Sequence, residues 1–243
     1  MKRMLLTISY DGTAYHGWQV QPNGITVQQV LQDALEKLLG KRVAVTGCSR
    51  TDAGVHAKMF CCHIDCEDKF PDNAFLRGLN SLLPNDIAVI DCCEVNSDFH
   101  ARYNAKGKKY IYSFYTGTLN PFDSRYMLHL ENEPDIDLMN NFCKGIIGTH
   151  DFEGFSSAKR TVDDTVRTID ECCLKKDGNK IYFEIKGNGF LYNMVRILAG
   201  TALAVGQKRL HFDCYVDVFE RKNRSAAGET LPPHALRLEE VFY

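Results

Sequence analysis

The chain has 243 residues, of which 44% are hydrophobic, 25% charged and 11% aromatic, with 29 basic against 31 acidic side chains and a formal net charge of −2. These ordinary globular fractions exclude a disordered, collagen-like or coiled-coil chain and leave enough apolar residues for one large domain or two modest ones. The long apolar stretch of the C-terminal half, Met194–Gly206, is broken by Arg196 and Thr201 and falls short of the roughly 20 residues that a membrane span needs. Met4-Leu5-Leu6 is too short for the apolar core of an export signal, so the chain is expected to be cytoplasmic.

Alternation of Met4, Leu6, Ile8 and Tyr10 against Leu5, Thr7 and Ser9 predicts a first strand, ended by Asp11-Gly12. Thr26, with Gln29 three residues on, predicts the cap of a helix whose apolar stripe is Val27, Leu31, Ala34, Leu35 and Leu38 and which stops at Gly40. Val43 and Val45 mark a second strand, and residues 59–66 a third. A helix opened by Asp72 and ended by Pro84 then leads to a fourth strand over Ile87–Val95. The order is β-α-β-β-α-β.

The second half repeats it. Residues 109–116 read as a strand, and Ile136, Met139, Phe142, Cys143, Ile146 and Ile147 as a helical stripe ending at Gly148. Residues 166–175 and 180–186 form a strand pair around the turn signal Asp177-Gly178. A long helix over 191–205, a short one over 212–221 and a last strand over Leu236–Phe242 complete the chain. Two α+β halves, 1–105 and 106–243, predict a duplicated ferredoxin-like architecture.

Ten cysteines do not imply a disulfide scaffold in a chain this long and apolar. Cys61-Cys62, Cys92-Cys93 and Cys172-Cys173 read as small apolar fillers on opposite faces of strands. Cys61, Cys62, His63 and Cys66 bring four potential metal ligands together. They lack CxxC or HxxxH spacing, and strand alternation splits them between two faces, so no metal is expected. Gly187-Asn188-Gly189 is similar to a dinucleotide fingerprint, but Tyr192 stands at the third glycine position and no nicotinamide cofactor is expected. His150 reads as a structural histidine of a loop, and Met194 as core.

The charge is unevenly placed. Arg102, Lys106, Lys108 and Lys109 occur without an intervening acid, among Tyr103, Tyr110, Tyr112, Phe114 and Tyr115, while acids gather at 65–72 and 131–137. Cations interleaved with aromatics suit a nucleic-acid groove, where phosphates meet charge and bases meet rings. The plain alternative is a strand edge protected by lysines.

Between the second and third strands lies Arg50-Thr51-Asp52-Ala53-Gly54-Val55-His56-Ala57. Arg50 and Asp52 are two residues apart, which on extended backbone puts both on one side, and a nearby guanidinium favours an ionised carboxylate. A fixed, ionised aspartate is what nucleophilic attack on an electrophilic carbon requires. The competing reading is an ion-paired aspartate in a glycine-containing turn.

This segment resembles the active-site signature of the tRNA pseudouridine synthases of the TruA family. Four more blocks agree in order: Tyr10-Asp11-Gly12-Thr13; Phe99-His100-Ala101-Arg102 followed by Lys109-Tyr110; His150-Asp151-Phe152; and Phe190-Leu191-Tyr192-Asn193-Met194-Val195-Arg196. The resemblance runs nearly end to end. It implies the pseudouridine synthase fold, a mixed, mainly antiparallel sheet of two ferredoxin-like halves with helices on one side. It also implies conversion of uridine to pseudouridine at positions 38 to 40 of the tRNA anticodon stem-loop, by a cofactor-free homodimer that grips tRNA across both subunits.

By position, Asp52 corresponds to the catalytic aspartate, Tyr110 to the tyrosine that packs on the target base, and Arg196 to the arginine that pairs with the aspartate. Arg50 corresponds to an RNA-contacting arginine, and Leu236 to an apolar residue lining the uracil pocket. The aspartate is open to three routes: addition to the ribose, addition to the base, or abstraction of a ribose proton. Ser49 and Ala235 stand where the family usually has glycine, so the backbone entering the site is expected to differ there. The rival function is a tRNA-binding protein without catalysis, which the presence of Asp52, Arg50, Tyr110 and Arg196 disfavours.

Overall fold

A computed structural model describes residues 1–67, 71–157 and 164–243 of the chain. They divide into two units, Met1–Lys106 with Arg237–Tyr243, and Gly107–Leu236. The strand at the C-terminus therefore returns to the first unit, whereas division at 105 leaves it in the second half.

The first unit starts with β1 (Lys2–Tyr10), whose even-numbered residues Met4, Leu6, Ile8 and Tyr10 are buried as the alternation predicts. Helix α1 (Val27–Leu39) begins where the Thr26 hydroxyl accepts the Gln29 N–H and ends at Gly40, whose φ of 73° suits glycine. β2 (Thr46–Gly47) is much shorter than the strand expected around Val43 and Val45. Both valines are buried, but their carbonyls are taken by glutamine side chains of α1: Gln28 Nε2 donates to Val45 O at 2.8 Å and Gln32 Nε2 to Val43 O at 3.3 Å. With those acceptors satisfied from a helix, the segment needs no neighbouring strand.

β3 (His56–Cys66), α2 (Asp72–Asn80) and β4 (Ile87–Val95) follow. The acidic stretch 65–72 lies partly outside the described residues. Asn80 explains where α2 stops: its amide donates to Val89 O and accepts Val89 N–H, both at 2.8 Å, beside the irregularity in the β1–β4 register at Thr7/Ile8. β1 lies between β4 and β3, antiparallel to both. The other edge of β3 is shared, with β2 antiparallel to it at Cys62 and His63, and β10 (Leu236–Phe242) parallel to it at His56 and Ala57. The order β4-β1-β3-β2 is that of a split βαβ unit.

The second unit is built on β5 (Gly107–Thr116), β8 (Val166–Asp177) and β9 (Lys180–Gly187), with β9 antiparallel to both neighbours. β5, β8 and β9 stand in the order β5-β9-β8, which repeats the first-third-second order of the other unit. Gly178 turns the β8–β9 hairpin at φ 57°. α3 (Pro121–Ser124), β6 (Leu128–Leu130) and β7 (Gly148–Asp151) were not predicted, because three or four residues are too few to display a period. α4 (Ile136–Gly145) and α5 (Met194–Gly206) pack together, and α6 (Tyr215–Arg221) follows. α5 starts three residues later than predicted because Asn193, at φ 61°, turns the chain immediately before it. Apart from Arg196, every residue of α5 is buried, so the helix is surrounded on nearly all sides.

All ten cysteines are free thiols, and no described helix is long and apolar enough to cross a membrane. Among the described residues no three His, Cys, Asp or Glu side chains are grouped to hold a metal ion.

Candidate active site

Asp52 opens a four-residue turn. Val55 N–H donates to Asp52 O at 3.1 Å and Gly54 sits at φ 78°, the geometry of a type II turn with glycine at its third position. Extended backbone therefore ends at Asp52. Arg50 is exposed and Asp52 half-buried, and among the described residues Arg50 makes no ion pair. The spacing does not make Arg50 the neighbour that holds the Asp52 charge; it leaves the guanidinium available to a ligand.

The segment 10–18 grips this turn from both sides. Trp18 N–H donates to Thr51 O at 3.2 Å, and Gly54 N–H donates to Tyr15 O at the same distance. The Tyr10 and Thr51 hydroxyls share a hydrogen bond of 2.9 Å, buried between β1 and the turn. Two glycines let the backbones meet. A Cβ on Gly17, already at φ 83°, would lie 2.4 Å from Thr51 O, and a Cβ on Gly12 would lie 2.0 Å from Val55 O. Gly12 N–H donates to His56 Nδ1 at 3.0 Å. Asp11 Oδ1, 3.1 Å from the same nitrogen, accepts from Thr13 N at 3.0 Å and from the Thr13 hydroxyl at 2.6 Å. Below, the Trp18 ring stacks on Phe60 of β3 at 4.1 Å.

Tyr10, Gly12, Gly17, Trp18 and His56 thus set the position of Asp52, and residue-level reading assigned none of them a role. The available signal was Asp11-Gly12 with Gly17-Trp18, two glycine-containing breaks just after the first strand. Ser49 and Ala235 stand outside the left-handed region, so neither position needs glycine for its backbone.

The other candidates lie in the second unit. Tyr110, on β5 opposite Ile185, is 7% exposed, and its ring meets Phe190 edge-on at 5.2 Å. Arg196 is half-buried in the first turn of α5. Its Nε donates to Leu231 O at 2.6 Å and its Nη1 to Asn193 Oδ1 at 2.8 Å, while Asn193 Nδ2 donates to the Ser157 hydroxyl at 2.9 Å. The left-handed Asn193 aims its amide at that guanidinium. Leu236, buried, begins β10 after the short 3-10 turn Pro233–Ala235.

The basic-aromatic stretch divides in two. Tyr112, Phe114 and Tyr115 are fully buried, Lys108 is buried, and Lys109 Nζ lies 2.7 Å from Glu184, which Lys175 also contacts at 2.9 Å. Burial pushes the Glu184 carboxyl up, but hydrogen bonds from the two lysines outweigh it and hold the group below its usual range. Those three aromatics are core, not groove, because residues 111–116 of β5 are buried on both faces. Arg102, Tyr103 and Lys106 are exposed.

Comparison with known proteins supplies the family. A family profile described as tRNA pseudouridine synthase matches residues 6–104 and 142–243. The tRNA pseudouridine synthase A of Clostridium kluyveri is 46% identical over 244 residues, covering 100% of both chains. Its namesake in Ruminiclostridium cellulolyticum is 45% identical over 249 residues, again 100% of both. The one from Exiguobacterium sibiricum is 44% identical over 243 residues, 100% of this chain and 97% of that relative. At such identity over the full length, the chain belongs to the tRNA pseudouridine synthase family.

Proposed function

We infer that this chain is an isomerase that converts uridine to pseudouridine in tRNA, at positions 38 to 40 of the anticodon stem-loop, with Asp52 as its catalytic nucleophile. Family membership supports the reaction and the substrate. The observation that carries the residue assignment is the Asp52 turn, gripped through Thr51 and Gly54 by backbone that only glycine allows so close. A group held this rigidly needs no ordering at the moment of reaction.

The reaction breaks the C1′–N1 glycosidic bond, rotates the uracil and forms a C1′–C5 bond, with the C5 hydrogen leaving as a proton. It involves no net redox change and no hydrolysis, and the proposed chemistry asks for no cofactor. Asp52 serves it as a nucleophile toward ribose or base, or as a base toward a ribose proton. A uridine in a stem must first leave its stack, at a cost of a few kcal/mol. Tyr110, its ring steadied by Phe190, offers a face for the flipped base, and Leu236 an apolar wall. By the family resemblance Arg196 corresponds to the arginine that pairs with the aspartate, and its guanidinium is held by Leu231 O and Asn193 Oδ1. Arg50 contacts RNA. We place the enzyme in the cytoplasm as a homodimer that grips tRNA with both subunits.

The test is tritium release from a tRNA transcript labelled at uridine C5, with wild type and Asp52→Asn. Release by wild type that is lost in the variant establishes reaction and residue together. A wild type that binds tRNA without releasing tritium would instead be a tRNA-binding protein of the same fold.

A further inference from the structure

Residues 100–104 form a turn that presents one aromatic ring to solvent. Tyr103 is 78% exposed, yet the backbone around it is tied at nearly every step. Arg102 N–H and Tyr103 N–H both donate to His100 Nδ1, at 3.1 and 3.3 Å. His100 N–H donates to Asn104 Oδ1 at 2.6 Å, and Asn104 N–H to His100 O at 3.0 Å. Beneath them, buried Ala101 donates its N–H to His63 Nδ1 at 3.1 Å and accepts the Tyr243 hydroxyl at 2.8 Å. Arg3 Nη1 holds Phe99 O at 2.8 Å where the turn begins, and Lys106 N–H donates to Phe242 O at 2.8 Å where it ends.

The His100 ring lies 4.2 Å from the Tyr103 ring at 31°, and the Arg102 guanidinium is 6.0 Å from the tyrosine centroid. The contacts on the Tyr103 ring itself add nothing to the core, since that ring is in solvent; what they remove is the entropy the ring would lose on meeting a partner. The charges nearby define that partner. Arg102 and Lys106 are exposed, and among the described residues neither pairs with a carboxylate. Asp65 is already engaged at both oxygens by Arg3, at 2.7 Å each.

We propose that Tyr103 is a stacking platform for an unpaired base of the RNA substrate, flanked by Arg102 and Lys106 for its phosphates. The proposal rests on the reading of the chain as a tRNA-modifying enzyme. A paired base buries both faces in its helix, so the platform takes a base from a loop, bulge or end. Tyr103 acts in substrate binding, apart from the Asp52 turn.

Steady-state tritium release on a tRNA transcript tests it with full-length Tyr103→Ala, Tyr103→Phe and Tyr103→Trp. Loss of one base–aromatic stack is expected to raise KM about 5- to 100-fold in Tyr103→Ala, with kcat within about twofold, and Tyr103→Phe should match wild type. Tyr103→Trp gives a direct signal, because the native Trp18 is buried and supplies a constant background. Its emission is expected to be quenched on titration with tRNA, and far less with a blunt RNA duplex of equal charge. A wild-type KM in Tyr103→Ala, or emission of Tyr103→Trp unmoved at saturating tRNA, overturns the platform. If wild type releases no tritium, the isomerase reading fails while the quench still decides whether Tyr103 stacks on RNA.

Discussion

Two turns of the first unit each present one side chain, and they are built on opposite principles. The Asp52 turn is held by backbone against backbone, through Trp18 N to Thr51 O and Gly54 N to Tyr15 O, with Gly12 and Gly17 where a Cβ would collide. The Tyr103 turn is held largely through side chains, with the imidazoles of His100 and His63 and the Asn104 amide accepting its N–H groups. Backbone contact fixes a position closely, and truncating a side chain leaves its hydrogen bonds in place. Side-chain acceptors can be removed singly, and each exposed one can be replaced by water. A reacting carboxylate needs the first kind of support, while a ring that receives a base tolerates the second.

The largest effect should come from Gly17→Ala. The added methyl would lie 2.4 Å from Thr51 O at a positive φ, so the turn must move, and kcat in the tritium assay is expected to fall about 100-fold with the overall circular dichroism retained. Full activity in this variant would mean that Asp52 does not depend on the clamp. His56→Ala comes next. It leaves the buried Gly12 N–H without its acceptor, which costs about 1–3 kcal/mol in urea unfolding. Its kcat should fall less than that of Gly17→Ala, because the Thr51 and Gly54 bonds remain, and an unchanged unfolding midpoint would remove His56 from the clamp.

The Tyr103 turn should respond to pH. Burial, with help from Arg3 and His100, lowers the His63 pKa in the folded state, while the unfolded value is about 6.5. Between the two the unfolded chain binds more protons, so the contribution of neutral His63 is complete above about pH 6.5 and is lost as pH falls toward the folded pKa. Wild type should therefore lose more of its urea midpoint between pH 7.5 and 5.5 than His63→Gln, whose amide oxygen still accepts from Ala101. Equal losses would show that His63 does not titrate with unfolding. The smallest effect is expected for His100→Ala. Water can take over the exposed Arg102 and Tyr103 N–H groups, so stability should stay within about 0.5 kcal/mol, and KM should rise less than in Tyr103→Ala. A KM rise as large as that of Tyr103→Ala would mean that the bracing, and not the ring alone, does the binding.

Much of the fold was legible because long periodic segments report their own burial. β1, α1, β4 and β10 stand where alternation or capping placed them, and Thr26 and Gly40 delimit α1 by local chemistry. Val43 and Val45 show the limit. They alternate like a strand, but glutamines reaching from α1 satisfy their carbonyls, a fact invisible in a local window. The aromatic-basic stretch shows another. Tyr103 and Tyr112 look alike in sequence, yet one is 78% exposed and the other fully buried, because residues 111–116 of β5 are buried on both faces.

For the site, residue type and spacing drew notice to Arg50 and Asp52, while the roles of Tyr110, Arg196 and Leu236 come from the family resemblance alone. The support of Asp52 was not legible in that way. Gly12, Gly17 and His56 matter through contacts with residues about 30 to 45 positions away, and those exist only once β1 and β3 are paired. Periodicity, caps and turn residues act over a few residues and can be read along the chain. Clamps, covered faces and borrowed acceptors act across it, and they arise only when the folded backbone brings distant groups to bonding distance.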